Sequence, residues 1–138
     1  QVSLIMFDMD NFKQINDQNG HLCGDEVLRQ VSKRCTAILR SVDVIGRYGG
    51  EEFTVFLPET DIKNTELVAE KLRKEICEQP IHYDSIELFI SISVGYTTSN
   101  KVKNNHEKLL NEADVALYKA KENGRNQCVD YSSCLPAN

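Results

Sequence analysis

Arg47-Tyr48-Gly49-Gly50-Glu51-Glu52-Phe53 joins two mainly apolar runs, residues 42–45 and 53–57, through a pair of glycines. Because glycine reaches the positive φ that a tight turn between twisted strands requires, the stretch predicts a β-hairpin with a two-residue turn. Glu51 and Glu52 then stand at the tip or on the first rung of that hairpin. Alone, the motif is compatible with an acidic, solvent-exposed turn or with a binding site.

A second acidic pair follows the first apolar run of the chain. Residues 2–7 predict a buried strand, and Asp8 stands where the next apolar side chain would be expected. An ionised carboxylate beside a core is costly unless it is paired or binds a metal. Asp8 is therefore either a turn residue at the strand end or a ligand. Asp10 is interpreted as a cap for the turn that follows.

Hydrophobic periodicity predicts three helices. A turn-rich stretch over residues 16–24 precedes the first of them. Apolar residues at helical spacing predict amphipathic helices over residues 25–40, 61–78 and 106–123. Asp25 is a candidate N-cap of the first helix, Pro80 ends the second, and Gly124 is expected to cap the third in a left-handed conformation.

Alternation of apolar and polar residues predicts one long strand over residues 86–97. Residues 81–83 are expected to pair with it, residues 99–105 to form a polar loop and residues 127–131 to form a last short strand. The order strand, helix, hairpin, helix, strand, helix, strand predicts an α+β fold, with helices packed on a mostly antiparallel sheet.

Composition indicates a single globular domain. The chain has 138 residues, a net charge of -5 and five cysteines. The negative charge argues against non-specific nucleic-acid binding, which needs a basic surface. No apolar run is long enough to span a bilayer, so we expect no membrane contact by this segment. The odd number of cysteines, without Cys-x-x-Cys spacing, indicates reduced thiols in a cytoplasmic domain.

Several motifs in one order resemble the GGDEF domain of diguanylate cyclases. They are Phe-Asp-Met-Asp-Asn-Phe-Lys at residues 7–13, Ile-Asn-Asp at 15–17, Gly-His at 20–21, Gly-Asp-Glu at 24–26, and the hairpin stretch at 47–53. That family carries Asp or Glu at the third position of its signature, which is Glu51 here. The resemblance implies a palm-like, ferredoxin-related fold in which the first strand and the hairpin are neighbours, bringing Asp8 and Glu51 together.

The resemblance also implies how the chain is organised. Residues 1–131 would form the domain, and residues 132–138 a loose tail. Family members usually have a preceding helix and an Asp-x-Leu-Thr-Gly-Leu stretch, which this sequence lacks. We therefore expect the chain to be part of a longer protein with a sensory domain upstream.

The acidic residues acquire roles by this resemblance. Asp8, Glu51 and the main-chain carbonyl of Met9 would bind two Mg²⁺ or Mn²⁺ ions, cations that prefer oxygen ligands. Two such ions can polarise an α-phosphate and lower the pKa of an attacking 3′-hydroxyl. Glu52 would help to deprotonate or orient that hydroxyl.

The phosphate contacts implied by the resemblance are the backbone N–H groups of Asn11 and Phe12, together with Lys121 and Arg125. Lys121 and Arg125 are four residues apart, so they share one side if the last helical turn continues. Without the resemblance, both are equally explained as cations that offset the helix dipole.

Asn16 and Asp25 match the guanine-binding residues of the family. A carboxylate only accepts hydrogen bonds, and guanine presents two adjacent donors that adenine lacks. Asp25 therefore predicts a preference for GTP over ATP.

The function implied is a diguanylate cyclase in which a homodimer condenses two GTP molecules into cyclic di-GMP and two pyrophosphates. The alternatives are a catalytically inactive module that binds GTP or cyclic di-GMP, and a purely structural dimerisation domain.

Arg40 and Asp43 resemble the family's Arg-x-x-Asp inhibitory site, which binds the product cyclic di-GMP. Lys71 or Arg73 on the following helix would complete it. Without the resemblance, Arg40 is a cation at a helix end and Asp43 begins a turn.

Overall fold

The computed structural model describes residues 1–100 and 106–136. In chain order these residues form β1 (Val2–Met9), α1 (Phe12–Asn19), α2 (His21–Ile38), β2 (Val44–Arg47), β3 (Glu52–Pro58), α3 (Ile62–Glu78), β4 (Ile81–Tyr83), β5 (Ile86–Leu88), β6 (Ile92–Ser99), α4 (His106–Glu122), β7 (Cys128–Asp130) and a 3₁₀ helix (Tyr131–Cys134). None of these helices is long and apolar enough to cross a membrane.

The main sheet has the strand order β2-β3-β1-β6-β7, and β4 and β5 form a separate hairpin. All neighbours in the main sheet are antiparallel except β6 and β7, which run parallel. The predicted α+β class, with helices packed on a mostly antiparallel sheet, is confirmed.

β1 lies at the centre of the sheet and is buried on both faces. Ile5, Phe7 and Met9 pack into the core formed with α2 and α3, while Leu4 and Met6 pack against α4. A strand covered on both faces requires a nearly continuous apolar run, which residues 2–7 supply. Because side chains alternate along a strand, Asp8 lies on the same face as Leu4 and Met6, the face covered by α4.

α4 approaches β6 closely at Gly95. A Cβ atom added there would lie 2.2 Å from Leu117 N and 2.4 Å from Ala113 O. Only glycine allows a helix backbone this near to a strand. The contact places the last turn of α4, with Lys121, over the end of β1.

The stretch over residues 16–24 is helical, not turn-rich as predicted. α1 and α2 follow each other with only Gly20, at φ 89°, between them. α1 has many polar residues because most of it is exposed, and the burial of Phe12 holds it against the core. Tertiary packing thus overrides weak local propensity. The assignment of Asp25 as an N-cap is also wrong, because Asp25 lies inside α2.

The hairpin turn is wider than predicted. Its last strand pair is Arg47 with Phe53, and the Tyr48 N–H donates to Glu52 O at 2.8 Å. Neither Gly49 nor Gly50 has the left-handed φ expected of them. A longer loop reverses the chain without such residues, and it leaves Glu51 within the turn.

The long strand predicted over residues 86–97 is broken. Its first part is β5, which pairs with β4, and its second part is β6, which pairs with β1. Period-two alternation reports which side chains face inward, and it does not require that the backbone stay in one sheet. The predicted pairing of residues 81–83 with this segment is confirmed.

The ends of the other elements agree with the sequence in part. Asp61 caps α3 through a 2.9 Å bond from Asn64 N, and Gly124 has φ 115° after α4. The polar loop predicted over residues 99–105 lies outside the described residues from residue 101 onward. Residues 132–138 were predicted to form a loose tail, but residues 132–134 form a 3₁₀ helix together with Tyr131, which was predicted to end the last strand. Tyr131 and Cys134 pack against the cluster of Ala116, Ala120 and Val129.

Candidate active site

Asp8 is at the end of β1 and faces α4. Lys121 Nζ of α4 lies 2.5 Å from Asp8 Oδ2, and the Asp8 side chain is only 8% exposed. The other oxygen, Oδ1, is buried and has no hydrogen-bond partner among the described residues. A buried carboxylate oxygen without a partner is costly, so this atom is poised to accept a further ligand.

Glu51 and Glu52 lie next to Asp8, as the resemblance to the GGDEF domain implied for Glu51. Glu52 is directly opposite Asp8 in the β1–β3 pairing. Burial, and then the negative charge of Asp8, raise the pKa of Glu51, while the nearby Lys121 acts in the opposite direction. The electrostatic coupling therefore places Asp8, Glu51 and Lys121 in one site.

The donor set of this site fits a divalent cation with oxygen ligands. Asp8 Oδ1 has no hydrogen-bond partner among the described residues, and Glu51 is a second carboxylate, whose pKa is raised by burial and then by the charge of Asp8. Within the part of the chain that the structure describes, no group of three or more His, Cys, Asp or Glu side chains is arranged around a metal position. Mg²⁺ sites commonly combine one or two protein carboxylates with substrate phosphates.

The turn after β1 exposes backbone donors. Asn11 has a left-handed backbone at φ 59°, and no side chain caps the first turn of α1. The first N–H groups of a helix have no partner within the helix, and they favour anions. Asn11 and Phe12 thus present N–H groups three and four residues after Asp8 in the sequence.

The interpretation of Asp10 as a turn cap is wrong. Its carboxylate is buried and accepts hydrogen bonds from Ser91 Oγ at 2.6 Å, Ser93 Oγ at 2.6 Å and Asn126 N at 3.1 Å. Asp10 therefore ties β1 to β6 and to the turn after α4. The sequence signal for this role was the Ser-x-Ser repeat at the start of β6.

Lys121 and Arg125 are not on one helical face. α4 ends at Glu122, and Arg125 lies in the following turn with φ 66°. Lys121 reaches Asp8, whereas the Arg125 side chain is exposed and forms no ion pair within residues 1–100 and 106–136. The structure therefore brings Lys121 to Asp8 and leaves Arg125 in the turn after α4.

Asn16 and Asp25 lie close together on α1 and α2. A Cβ atom added at Gly24, next to Asp25, would lie 1.8 Å from Asn16 Oδ1, so the amide is pressed against the α2 backbone. Asp25 is exposed and lines an open cavity of about 590 Å³ that extends to Arg47 of β2. The sequence did not assign a role to Arg47.

Arg40, Asp43 and Lys71 line a second cavity, of about 340 Å³. The Asp43 carboxylate accepts from Arg40 N at 2.8 Å and from the Arg40 guanidinium at 2.8 Å, and Arg40 also donates to Pro58 O at 2.9 Å. Pro58 pairs with Val2, at the opposite end of the β1–β3 ladder from Asp8 and Glu52. Six strand steps separate the two ends, or about 20 Å.

Arg73, the alternative third residue of that cavity, points elsewhere. It is ion-paired with Glu70 and donates to Asn126 Oδ1 at 2.9 Å, near the turn after α4. Lys71 is therefore the residue of this pair that faces the cavity of Arg40 and Asp43.

The fold and the site together have the architecture of a palm-like nucleotide cyclase domain. The sequence model of the family "Diguanylate cyclase, GGDEF domain" matches residues 1–127. Diguanylate cyclase A of Treponema denticola is 40% identical over 135 residues, which cover 98% of this chain and 36% of that protein. The chain thus spans about a third of the length of that curated relative.

Solved structures give the same result. The active GGEEF domain of a diguanylate cyclase from Vibrio cholerae superposes with a TM-score of 0.85 at 37% identity, covering 94% of this chain and 82% of that one. The GGDEF domain of DgcB from Caulobacter crescentus, in complex with c-di-GMP, superposes with a TM-score of 0.88 at 30% identity, covering 95% and 78%. The chain belongs to the GGDEF-domain family of diguanylate cyclases.

Proposed function

We propose that this chain is a catalytic domain that condenses two GTP molecules into cyclic di-GMP and two pyrophosphates. Each 3′-hydroxyl oxygen attacks the α-phosphorus of the other GTP and forms a new P–O bond. The bond between the α-phosphorus and the oxygen bridging to the β-phosphate breaks, and pyrophosphate leaves. The observation that carries the proposal is the open, buried Oδ1 of Asp8 beside Glu51 and Lys121. The family membership and the description of a GGEEF-bearing relative as active support it.

Asp8, Glu51 and the Met9 carbonyl would hold two Mg²⁺ or Mn²⁺ ions. When bound, such ions polarise an α-phosphate and stabilise the ionised 3′-hydroxyl. Glu52, opposite Asp8 in the strand pairing, would orient that hydroxyl or accept its proton. The bound cations would also offset the negative charge of Asp8, which acts after burial in raising the pKa of Glu51.

The phosphates would be held by Asn11 and Phe12 through their N–H groups, and by Lys121 and Arg125 through their side chains. Lys121 is paired with Asp8 in this structure, so a terminal phosphate competes with Asp8 for it. Arg125 is exposed and forms planar, paired hydrogen bonds with phosphate oxygens readily.

Guanine selectivity would come from Asn16 and Asp25. Asp25 accepts from the two adjacent donors of guanine, while the Asn16 amide, held against Gly24, supplies a further contact. We expect ATP to be a far poorer substrate, because it leaves the Asp25 carboxylate without donors.

A homodimer completes the reaction, since one subunit presents one GTP and the product contains two guanylates. In the whole protein an upstream sensory domain would control the meeting of two such domains in the cytoplasm. Product inhibition would occur at Arg40, Asp43 and Lys71, where a cavity of about 340 Å³ lies far from Asp8. Product binding there requires the Arg40 guanidinium to exchange its contact with Asp43 for contacts with the ligand.

Incubation of the chain with GTP and Mg²⁺ tests the function directly. Cyclic di-GMP and pyrophosphate should accumulate in a 1:2 ratio, measured by chromatography with mass detection. Nucleotide binding without product, at protein concentrations where the dimer forms, would instead support the inactive binding module. Absence of nucleotide binding would leave only a structural dimerisation role.

A further inference from the structure

The turn after α4 has an unusual backbone. Gly124, Arg125 and Asn126 have φ values of 115°, 66° and 49°, all in the left-handed region. Glycine adopts this region freely and asparagine tolerates it, but for arginine it is uncommon. Such conformations persist where neighbouring contacts over-determine them.

Two side chains from distant parts of the chain hold Asn126. The buried Asp10 carboxylate accepts from the Asn126 N–H at 3.1 Å, and is itself fixed by Ser91 and Ser93. Arg73 of α3 donates from Nη1 to Asn126 Oδ1 at 2.9 Å. Asp10 thus binds the backbone of Asn126, and Arg73 binds its side chain.

Arg73 is itself well anchored. Its side chain is only 17% exposed, and Glu70, one helical turn earlier on α3, pairs with its guanidinium. The fixed fork of the guanidinium leaves Nη1 directed at Asn126 while Nε and Nη2 contact Glu70. α3 therefore stabilises the turn that contains Arg125.

Nothing holds the Arg125 side chain directly, since it is exposed and forms no ion pair within the described part of the chain. Its backbone sets where that side chain begins: the Arg125 N–H donates to Ala120 O at 3.0 Å, Gln127 Nε2 donates to Arg125 O at 3.1 Å, and Asn126 is the next residue. A change at Asn126 alters where the Arg125 guanidinium is presented.

We infer that Asp10 and Arg73 are positioning residues for phosphate binding: they lock Asn126 and so aim Arg125 at the terminal phosphates of the nucleotide. The inference rests on the proposed role of Arg125 as a phosphate ligand. Neither residue touches the nucleotide, so each acts through the turn.

The test compares binding of two nucleotides in the presence of Mg²⁺ by calorimetry. The probes are a GTP analogue with a methylene bridge between the α- and β-phosphates, which cannot turn over, and GMP, which lacks the terminal phosphates. Arg73→Gln should weaken binding of the triphosphate analogue about threefold to tenfold, as loss of one positioning hydrogen bond would, and leave GMP unchanged. Lys74→Gln, which removes the exposed neighbouring cation of α3, is the matched control and should change neither.

A double variant separates the positioning role from the phosphate role. In an Arg125→Ala background, Arg73→Gln should have no further effect, because the side chain it positions is gone. If Arg125→Ala weakens binding of the triphosphate analogue while Arg73→Gln does not, the positioning role of Arg73 is overturned and the phosphate-binding role of Arg125 stands. If Arg125→Ala has no effect, both are overturned. If Arg73→Gln weakens binding of GMP and of the analogue equally, the variant has a general structural defect, and the inference is also overturned.

Asp10 is tested by amide hydrogen exchange. Asp10→Asn removes the negative charge of the carboxylate that accepts the Asn126 N–H. Hydrogen exchange of the Asn126 amide should therefore accelerate in the folded protein, while exchange of the β1 amides should not change. An unaltered rate at Asn126 would overturn the part assigned to Asp10.

Discussion

Lys121 and Asp8 form an ion pair of 2.5 Å that engages only one oxygen of the carboxylate. The second oxygen, Oδ1, is buried without a hydrogen-bond partner among the described residues. The pair is therefore half-satisfied, and both groups have more favourable partners available once a cation and a phosphate enter the site.

Replacing Asp8 by asparagine removes this half-satisfied charge with little change in shape. We expect Asp8→Asn to lower turnover of GTP about a hundredfold or more, because an amide is a poor ligand for a hard cation. The fold should persist, so the melting curve should stay cooperative. Asp114→Asn removes an equal charge from the exposed side of α4 and should keep full activity. Turnover within a few-fold of the unaltered protein would refute the assignment of Asp8 as a metal ligand.

Protein concentration should control specific activity. Because one subunit presents one GTP, the rate per subunit at saturating GTP should rise with protein concentration and level off as the dimer saturates. Initial rates and sedimentation velocity over the same concentration range provide the measurement. A constant specific activity where sedimentation shows only monomer is incompatible with a shared active site.

Gly24→Ala separates nucleotide binding from stability. The added Cβ would lie 1.8 Å from Asn16 Oδ1, so the Asn16 side chain must move. Alanine in a helix interior is otherwise more favourable than glycine by about 1 kcal/mol. We therefore expect weaker binding of guanine nucleotides without an equivalent loss of thermal stability. Thr36→Ala, which also raises helix propensity in α2, is the control and should bind GTP normally.

Lys71→Ala tests product inhibition more cleanly than a change at Arg40. Arg40 supports Asp43, Pro58 and Thr60, so its loss perturbs local structure. Lys71 is exposed and lines the same cavity. The concentration of cyclic di-GMP for half-inhibition should rise about twofold to fivefold, since exposed charge pairs contribute under about 1 kcal/mol. The initial rate should not change, and Lys74→Ala should behave like the unaltered protein. Identical inhibition curves for Lys71→Ala and Lys74→Ala would remove Lys71 from the site.

Stability should depend on pH through Glu70. Its hydrogen bond from Arg73, aided by the charge of Arg73, lowers the pKa of Glu70 from its ordinary 4.5. A carboxyl with a lowered pKa adds stability that is present above pH 4.5 and is lost as the pH falls through the lowered value. Glu70→Gln should therefore unfold at a lower temperature than the unaltered protein at pH 7. That difference should shrink in acid and in high salt. A difference independent of pH would show that Glu70 acts through shape, not charge.

The class of fold was predictable from particular residues, and so was the position of an acidic pair at the end of the first strand. The apolar run of β1 ended at Asp8, and the hairpin places Glu52 opposite it, as the resemblance to the GGDEF domain implied for these two neighbouring elements. The wide turn at Tyr48–Glu52 and the break between β5 and β6 were not predictable, because alternation and glycine content do not report backbone pairing. Asp10 was misread because its partners lie 81, 83 and 116 residues away in the sequence.

The sequence by itself determined which groups are available: two acidic clusters, two cations near the end of the last helix and the carboxylate of Asp25 are properties of short motifs. The tertiary structure alone decided how those groups meet. Lys121 pairs with one oxygen of Asp8, and the other oxygen has no hydrogen-bond partner among the described residues, because α4 packs closely on the sheet at Gly95. In the tertiary structure Arg73 contacts Asn126 and Lys71 lines the second cavity. Which of these two side chains, lysine or arginine, faces which site depends on how α3 packs. Long-range contacts of this kind are set by packing of whole faces, and local sequence does not encode them.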